Sequence, residues 1–114
     1  MIKKRRATAL NRELLPYASM EVLDALARLV AVARRQRMWT QGDLAAKAEV
    51  GLTTVAKIEK GDPSVAMGYW LKVLWAVDQA DRLAKAMAPD QDPAGFHLML
   101  QQLPRRVRVP KLKG

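Results

Sequence analysis

The sequence lacks most of the residues on which catalytic and metal chemistry depends. It has no cysteine and a single histidine, His97. Without cysteine there are no disulfides, thiolate zinc sites or thiol nucleophiles, and one histidine supplies neither a pair of metal ligands nor much acid–base chemistry near neutral pH. No paired carboxylates beside a base and no glycine-rich phosphate loop can be assembled. We therefore expect neither an enzyme nor a metal or cofactor site.

Long apolar runs are also missing, because none approaches the ~18 residues that a membrane-spanning helix needs. No apolar segment follows the basic residues at positions 3–6, so we expect no secretory signal there. Half of the residues are nevertheless hydrophobic, which is enough to form a core. The length predicts one domain with short arms. We expect a soluble protein of the cytoplasm that does not bind membranes.

Positive charge is what the sequence has in excess. It carries 20 Lys and Arg against 11 Asp and Glu, a formal net charge of +9. Residues 1–18 carry a net charge of +4, residues 105–114 carry +5, and the residues between them balance to zero. Within that balanced part, residues 28–60 hold a local excess of +4. Such a distribution favours a polyanionic partner, nucleic acid before a membrane surface.

Apolar residues at three- and four-residue spacings predict an all-α fold. Helices are expected at about 20–37, with Ser19 as N-cap, and at about 41–48, 52–60, 67–77 and 79–87. The expected core includes three tryptophans and two further apolar residues of the last two helices: Trp39, Trp70, Trp75, Leu71 and Met87. An exposed aromatic stripe for stacking on single-stranded nucleic acid is the alternative for the tryptophans.

Two of these helices are short and are joined by a three-residue turn. Thr40 begins the first of them with a capping-box pattern, in which Asp43 takes the place of the usual glutamate. Residues 49–51 form the turn, and Gly51 is expected to cap the second short helix. This spacing is that of a helix-turn-helix, whose second helix lies in the major groove of DNA.

The residues of this motif resemble the Cro and phage-repressor (XRE-type) helix-turn-helix family. The resemblance spans about residues 20–85 and is carried by the pattern Thr40-Gln41-x-Asp43-Leu44-Ala45-x-Lys47-Ala48-x-Val50-x-x-x-Thr54-Val55-x-Lys57-Ile58-Glu59-x-Gly61. It implies a compact, five-helix, lambda-repressor-like DNA-binding domain. Glu49 departs from the family, which usually has glycine there, so Glu49 must either accept a left-handed backbone or adjust the turn, at a cost of about 1 kcal/mol.

The resemblance also assigns roles to individual side chains. The family's base readers correspond to Leu52, Thr53, Ala56 and Lys57. Lys57 can donate to guanine O6 and N7, while Leu52 and Ala56 can contact thymine methyl groups. The residues expected to bind phosphates are Gln41, Arg37, Thr54 and Lys60. Arg34 and Glu59 match a structural ion pair of the family, and an ordinary solvated surface residue is the alternative reading of the DNA-facing positions.

Three parts of the chain are expected: a basic arm at 1–18, the DNA-binding domain at 19–88, and a C-terminal helix with a basic tail at 89–114. The cations at Lys3–Arg6 and at 105–113 are expected to contact phosphates without sequence preference. Phe96, Met99, Leu100 and Leu103 share one face of a helix at 94–103. That face would contact a second copy or another protein, or else fold back on its own domain.

A narrower resemblance concerns the antitoxins of Hip-type toxin–antitoxin pairs. It is carried by Leu52-Thr53-Thr54-Val55-Ala56-Lys57-Ile58-Glu59, Gly61-Asp62-Pro63-Ser64-Val65 and Lys72-Val73-Leu74-Trp75. It implies a homodimer that binds a kinase-like toxin and represses the shared operon. We expect a sequence-specific repressor on double-stranded operator DNA, at the nucleoid of a prokaryotic cytoplasm. The alternatives are a stand-alone or phage-type regulator without a toxin, and a protein- or RNA-interaction adaptor.

Overall fold

A computed structural model describes residues 10–89 and 92–107, and every regular element in these two ranges is helical. A 3₁₀ turn and six α-helices follow one another along the chain: Arg12–Leu14, then α1 (Tyr17–Gln36), α2 (Gln41–Ala48), α3 (Leu52–Glu59), α4 (Met67–Ala76), α5 (Ala80–Ala86) and α6 (Pro93–Gln102). The all-α prediction is confirmed for the described residues. The arm cations Lys3–Arg6 and the tail from residue 108 onwards lie outside them. No helix among the described residues combines the length and the hydropathy needed to cross a membrane.

The chain divides into two compact units, residues 1–83 and 84–114, with the boundary inside α5. The first unit contains α1 to α4, and the second contains α6. The predicted partition into 1–18, 19–88 and 89–114 stays a prediction about which segments act separately.

The core of the first unit is shared by α1, α2, α3 and α4. α2 packs against α3 and α4, and α1 packs against α3. Six aliphatic side chains are fully enclosed: Val30, Leu44, Val55, Ile58, Val73 and Val77. Burying one such side chain contributes about 1.5–3 kcal/mol. This packing holds α2 and α3 in place, because helices of eight residues are too short to be stable on their own.

α1 begins three residues before its predicted start. Pro16 takes the N-cap position, and the Met20 N–H donates to the Pro16 carbonyl at 3.0 Å. Ser19 therefore lies inside the first turn, and the prediction that it caps the helix is wrong. Proline suits the start of a helix because its fixed φ is compatible with the turn and an N–H there would have no helical partner.

Four successive helices end in the same backbone motif. The residue that closes each helix lies in the left-handed region: Met38 (φ 59°), Glu49 (φ 56°), Gly61 (φ 71°) and Asp78 (φ 58°). In each case the next N–H donates to the carbonyl five positions back, as Val50 does to Ala45 at 3.0 Å. This is the Schellman motif, which glycine closes most easily. Glu49 thus adopts the left-handed conformation, the first of the two outcomes expected for this turn.

Two apolar residues of α4 that were expected to pack into the core of the domain lie on its surface instead. Trp70 is only 8% exposed, but Trp75 is 66% and Leu71 is 54% exposed. Met87, just beyond α5, is 81% exposed. These three core predictions are wrong. For Leu71 and Trp75 the reason is that α4 is apolar on nearly every side, so spacing cannot decide which side packs inward. Trp39 is half-buried and packs against the core.

Candidate nucleic-acid interface

α3 presents one side to solvent because its other side is anchored in the core. Val55 and Ile58 are both fully enclosed. Gly51 caps the helix in an extended conformation, and the Val55 N–H donates to its carbonyl at 3.2 Å. The helix is therefore fixed in rotation, and the positions between and before the two anchors point outward.

The four proposed base readers lie on that outward side. Leu52 is 55% exposed, Thr53 and Lys57 are exposed, and Ala56 is half-buried. Because residues four apart lie above one another on a helix, Leu52 with Ala56 and Thr53 with Lys57 form two adjacent rows. The strip offers methyl groups, a hydroxyl and an ammonium, which are groups that contact thymine methyls and guanine acceptors in the major groove.

The start of α2 is held rigid by its capping box, as the sequence predicts. The Asp43 N–H donates to the Thr40 hydroxyl at 3.0 Å, and the Thr40 N–H donates to the Asp43 carboxylate at 2.8 Å. Hydrogen bonds from the backbone and the hydroxyl of Thr40 hold the pKa of Asp43 below its usual range. Gln41 is the first residue of α2 and is half-buried. Its backbone N–H has no partner within the helix, which is the usual donor arrangement for a phosphate.

The other residues expected to bind phosphates differ in their exposure and in the contacts that they already make within the protein. Lys60 follows α3 directly and is exposed, whereas Thr54 is half-buried. Arg37 donates to the Ala33 carbonyl at 2.9 Å and lies 3.4 Å from the Asp78 carboxylate. A phosphate would have to compete with these contacts, although the Asp78 side chain is 84% exposed and such a pair is weak in water.

Arg34 and Glu59 join α1 to the end of α3. Arg34 Nε and Nη2 donate to the two Glu59 carboxylate oxygens at 2.7 and 2.9 Å. Arg34 Nη1 also donates to the Trp39 carbonyl at 2.7 Å. The two side chains are only 11% and 7% exposed. This bidentate pair fixes α3 against α1 and secures the loop before α2. Such burial and pairing favour a structural role over the reading of bases.

Two further arrangements do not follow from the sequence. Lys47 on α2 places its ammonium 4.7 Å from the centre of the Trp39 ring, a cation–π contact. Arg12, one of the cations of residues 1–18, is tied to Asp24 on α1 and to the Gly61 carbonyl. Neither arrangement could be predicted from the spacing of residues along the sequence, because the partners come from different elements and only the tertiary fold brings them together.

Comparison with known families agrees with this geometry. A family model described as helix-turn-helix matches residues 30–74, which run from the middle of α1 through α2 and α3 into α4. The match supports a DNA-binding helix-turn-helix at these residues. A search of curated proteins and a search of solved structures each returned no significant match.

Proposed function

We propose that the protein is a sequence-specific transcription repressor that binds a double-stranded operator as a homodimer. The observation that carries this proposal is the outward strip of α3, Leu52, Thr53, Ala56 and Lys57, on a helix anchored by Val55 and Ile58. Its side chains match the chemistry of base edges in the major groove. The local charge of +4 over residues 28–60 adds attraction to the phosphates around that groove.

In this proposal each residue has a defined role. Lys57 donates to a guanine, Leu52 and Ala56 contact thymine methyls, and Thr53 contacts a base or a phosphate. Gln41, Thr54, Lys60 and Arg37 bind phosphates and set the register of α3 on the duplex. A protein with this role acts at the nucleoid, in the cytoplasm of a prokaryote, and needs no cofactor.

Selection from a pool of duplexes with a random core of about 30 base pairs tests the proposal, using the full chain. We expect enrichment of an inverted repeat whose half-site centres lie about 10–10.5 base pairs apart, the spacing of two recognition helices in a dimer. A pool of RNA hairpins of the same length serves as competitor. Equal competition by RNA, or no enriched sequence after repeated rounds, would favour the adaptor and refute operator recognition.

The narrower proposal is that this repressor is the antitoxin of a Hip-type pair. It rests on the sequence resemblance over residues 52–75. Co-expression with a neighbouring kinase-like reading frame tests it, and we expect a complex that elutes as one species and binds the operator. If no such reading frame adjoins the gene, or if its product does not co-elute, the protein is a stand-alone or phage-type regulator instead.

A further inference from the structure

α1 has a second face without charge, beside the one that it buries in the core. Val22 is 61% and Val32 is 44% exposed on this face, and only Leu29 is half-buried there rather than exposed. We call this face the α1 seam, and six residues form it: Ala18, Val22, Ala25, Leu29, Val32 and Gln36.

The α1 seam repeats with the period of a coiled coil. From Ala18 to Gln36 its residues are separated alternately by four and three positions, the spacing of the apolar positions in a heptad repeat. The core of the first unit uses a different side of α1, through the buried residues Ala27, Val30 and Ala33. The helix therefore keeps a second side, at heptad spacing, that suits contact with another helix.

The α1 seam is complementary to itself when two copies pair antiparallel. A two-fold axis through the middle of the seam sets Val22 against Val32 of the second copy, and Ala25 against Leu29 of the second copy. The smaller alanine thus meets the larger leucine, as close packing between helices requires. A pairing in which the same patch serves both copies is the isologous contact of a C2 dimer.

Charges along one edge of the α1 seam complement each other in the same arrangement. Glu21, Arg28 and Arg35 are exposed and seven residues apart, so they line one edge. The antiparallel pair sets Glu21 beside Arg35 of the second copy, twice per dimer. Neither of these two has an ion-pair partner within the described residues. Arg28 meets its own counterpart, and Asp24, which attracts Arg28 within the same helix, moderates that repulsion.

The α1 seam faces away from α3. Arg34, which contacts Glu59 of α3, is two residues from Gln36 and so about 200° around the helix from the seam. A second copy on the seam therefore leaves the outward strip of α3 uncovered. With neighbouring helix axes about 8–10 Å apart, the order α3, α1, second α1, second α3 sets the two recognition helices about 24–30 Å apart. This approaches the ~34 Å between half-sites one helical turn apart.

We propose that two copies of this chain form the operator-binding dimer through the α1 seam. This inference rests on the proposed function and assigns a surface to the dimer that it requires. A strip about 27 Å long and about 10 Å wide is smaller than the ~800 Å² per partner of a standard interface. The dimer therefore dissociates at micromolar concentration, and binding to two adjacent half-sites stabilises it.

One substitution in the α1 seam and one outside it test this contact in the full chain. Val22→Glu places a charge against Val32 of the second copy, twice per dimer, and should raise the dimer dissociation constant at least about tenfold. Leu71→Glu, at a 54% exposed position of α4, changes the net charge equally and should dimerise as the wild type does. Sedimentation equilibrium and the cooperativity of binding to two half-sites are the readouts, and circular dichroism confirms that both variants are folded.

Exchanging the edge charges tests the antiparallel arrangement. Glu21→Arg brings arginines together and Arg35→Glu brings glutamates together, so each variant alone should dimerise about threefold to tenfold more weakly. An equimolar mixture of the two should form heterodimers in preference to either homodimer, because both edge pairs then have opposite signs. Glu49→Arg, at an exposed site outside α1, changes the net charge as Glu21→Arg does and should leave dimerisation unchanged.

Four results would overturn the inference. They are unchanged dimerisation and cooperativity in Val22→Glu, their loss in Leu71→Glu alone, a mixture of the charge variants without preference for heterodimers, and a wild-type chain that stays monomeric and binds two half-sites independently. The second of these would place the contact on the apolar surface of α4. Failure of the proposed function would look different, because no duplex sequence would be enriched while sedimentation of the wild type and its variants still reported on the seam.

Discussion

Arg34 joins three parts of the first unit through one largely buried side chain. It satisfies both oxygens of Glu59 and the carbonyl of Trp39. Glu59 follows the outward strip of α3, and Trp39 precedes the cap of α2. A single guanidinium therefore links α1 to the end of α3 and to the loop before α2, in addition to the core packing that holds these helices. Its planar fork suits this geometry better than a lysine would.

We expect Arg34→Met to destabilise the first unit by about 3 kcal/mol, because Glu59 would stay buried without a partner. Urea unfolding measures this loss. The double variant Arg34→Met with Glu59→Leu should recover part of the stability, since it removes the unpaired charge. Arg12→Met, which breaks a more exposed ion pair, is the control and should cost clearly less. Equal losses for Arg34→Met and Arg12→Met would contradict the assigned importance of the buried pair.

At the scale of elements, the helix ends are where the chain carries strain. Met38, Glu49 and Asp78 close α1, α2 and α4 with left-handed backbones that glycine adopts without cost. Asp78 has a compensating contact, because its carboxylate lies 3.4 Å from Arg37. The Glu49 side chain is exposed, and its carbonyl accepts from the Lys72 ammonium at 3.3 Å, a bond that glycine would keep.

Glu49→Gly should therefore stabilise the protein by about 1 kcal/mol, the cost of the left-handed conformation for a residue with a side chain. Ala46→Gly, three residues earlier on the exposed side of α2, is the matched control and should destabilise by about 1 kcal/mol. Thermal unfolding of the two variants gives the comparison. A loss of stability in Glu49→Gly would show that the side chain makes a contribution that outweighs the backbone strain.

The sequence predicts those elements whose signals are local. The capping box of Thr40 and Asp43, the extent of α2, and the anchors Val55 and Ile58 all depend on residues within one or two turns, and the structure has them as expected. The start of α1 also has a local signal, Pro16, which the prediction of Ser19 as N-cap overlooked. The exposure of Trp75 does not depend on local pattern. Which side of the apolar α4 packs inward is decided by α2 and α3, and the contacts of Arg12 require partners 12 and 49 residues away.

At the scale of the whole molecule, the residues proposed to attract DNA and those proposed to read its sequence lie in different parts of the chain. The excess of basic residues lies at the two ends, in residues 1–18 and 105–114, while the central part is balanced. Phosphate contacts made by such cations release counterions and raise affinity for every duplex alike. The outward strip of α3 carries one charged side chain, Lys57. In the proposed function, discrimination between sequences depends on the contacts of this strip to base edges.

Replacing the five cations of residues 105–114 by glutamine tests this separation while keeping the chain length. We expect weaker binding to selected and scrambled duplexes by the same factor. The slope of log K against log salt concentration should become shallower by as much as ~0.9 for each phosphate that the tail no longer neutralises. An unchanged slope would mean that the tail does not bind phosphates, and a changed preference between the two duplexes would mean that it reads sequence.

The claim that α3 reads DNA is tested most directly by the ratio of affinities for a selected and a scrambled duplex at fixed salt. We expect Lys57→Ala to lower this ratio by roughly 5-fold to 150-fold, because one hydrogen-bonded base contact contributes about 1–3 kcal/mol of discrimination. Lys60→Ala, three residues away, should weaken both complexes equally and leave the ratio as it is in the wild type. A ratio that stays unchanged in Lys57→Ala would contradict the assignment of α3 as the recognition helix.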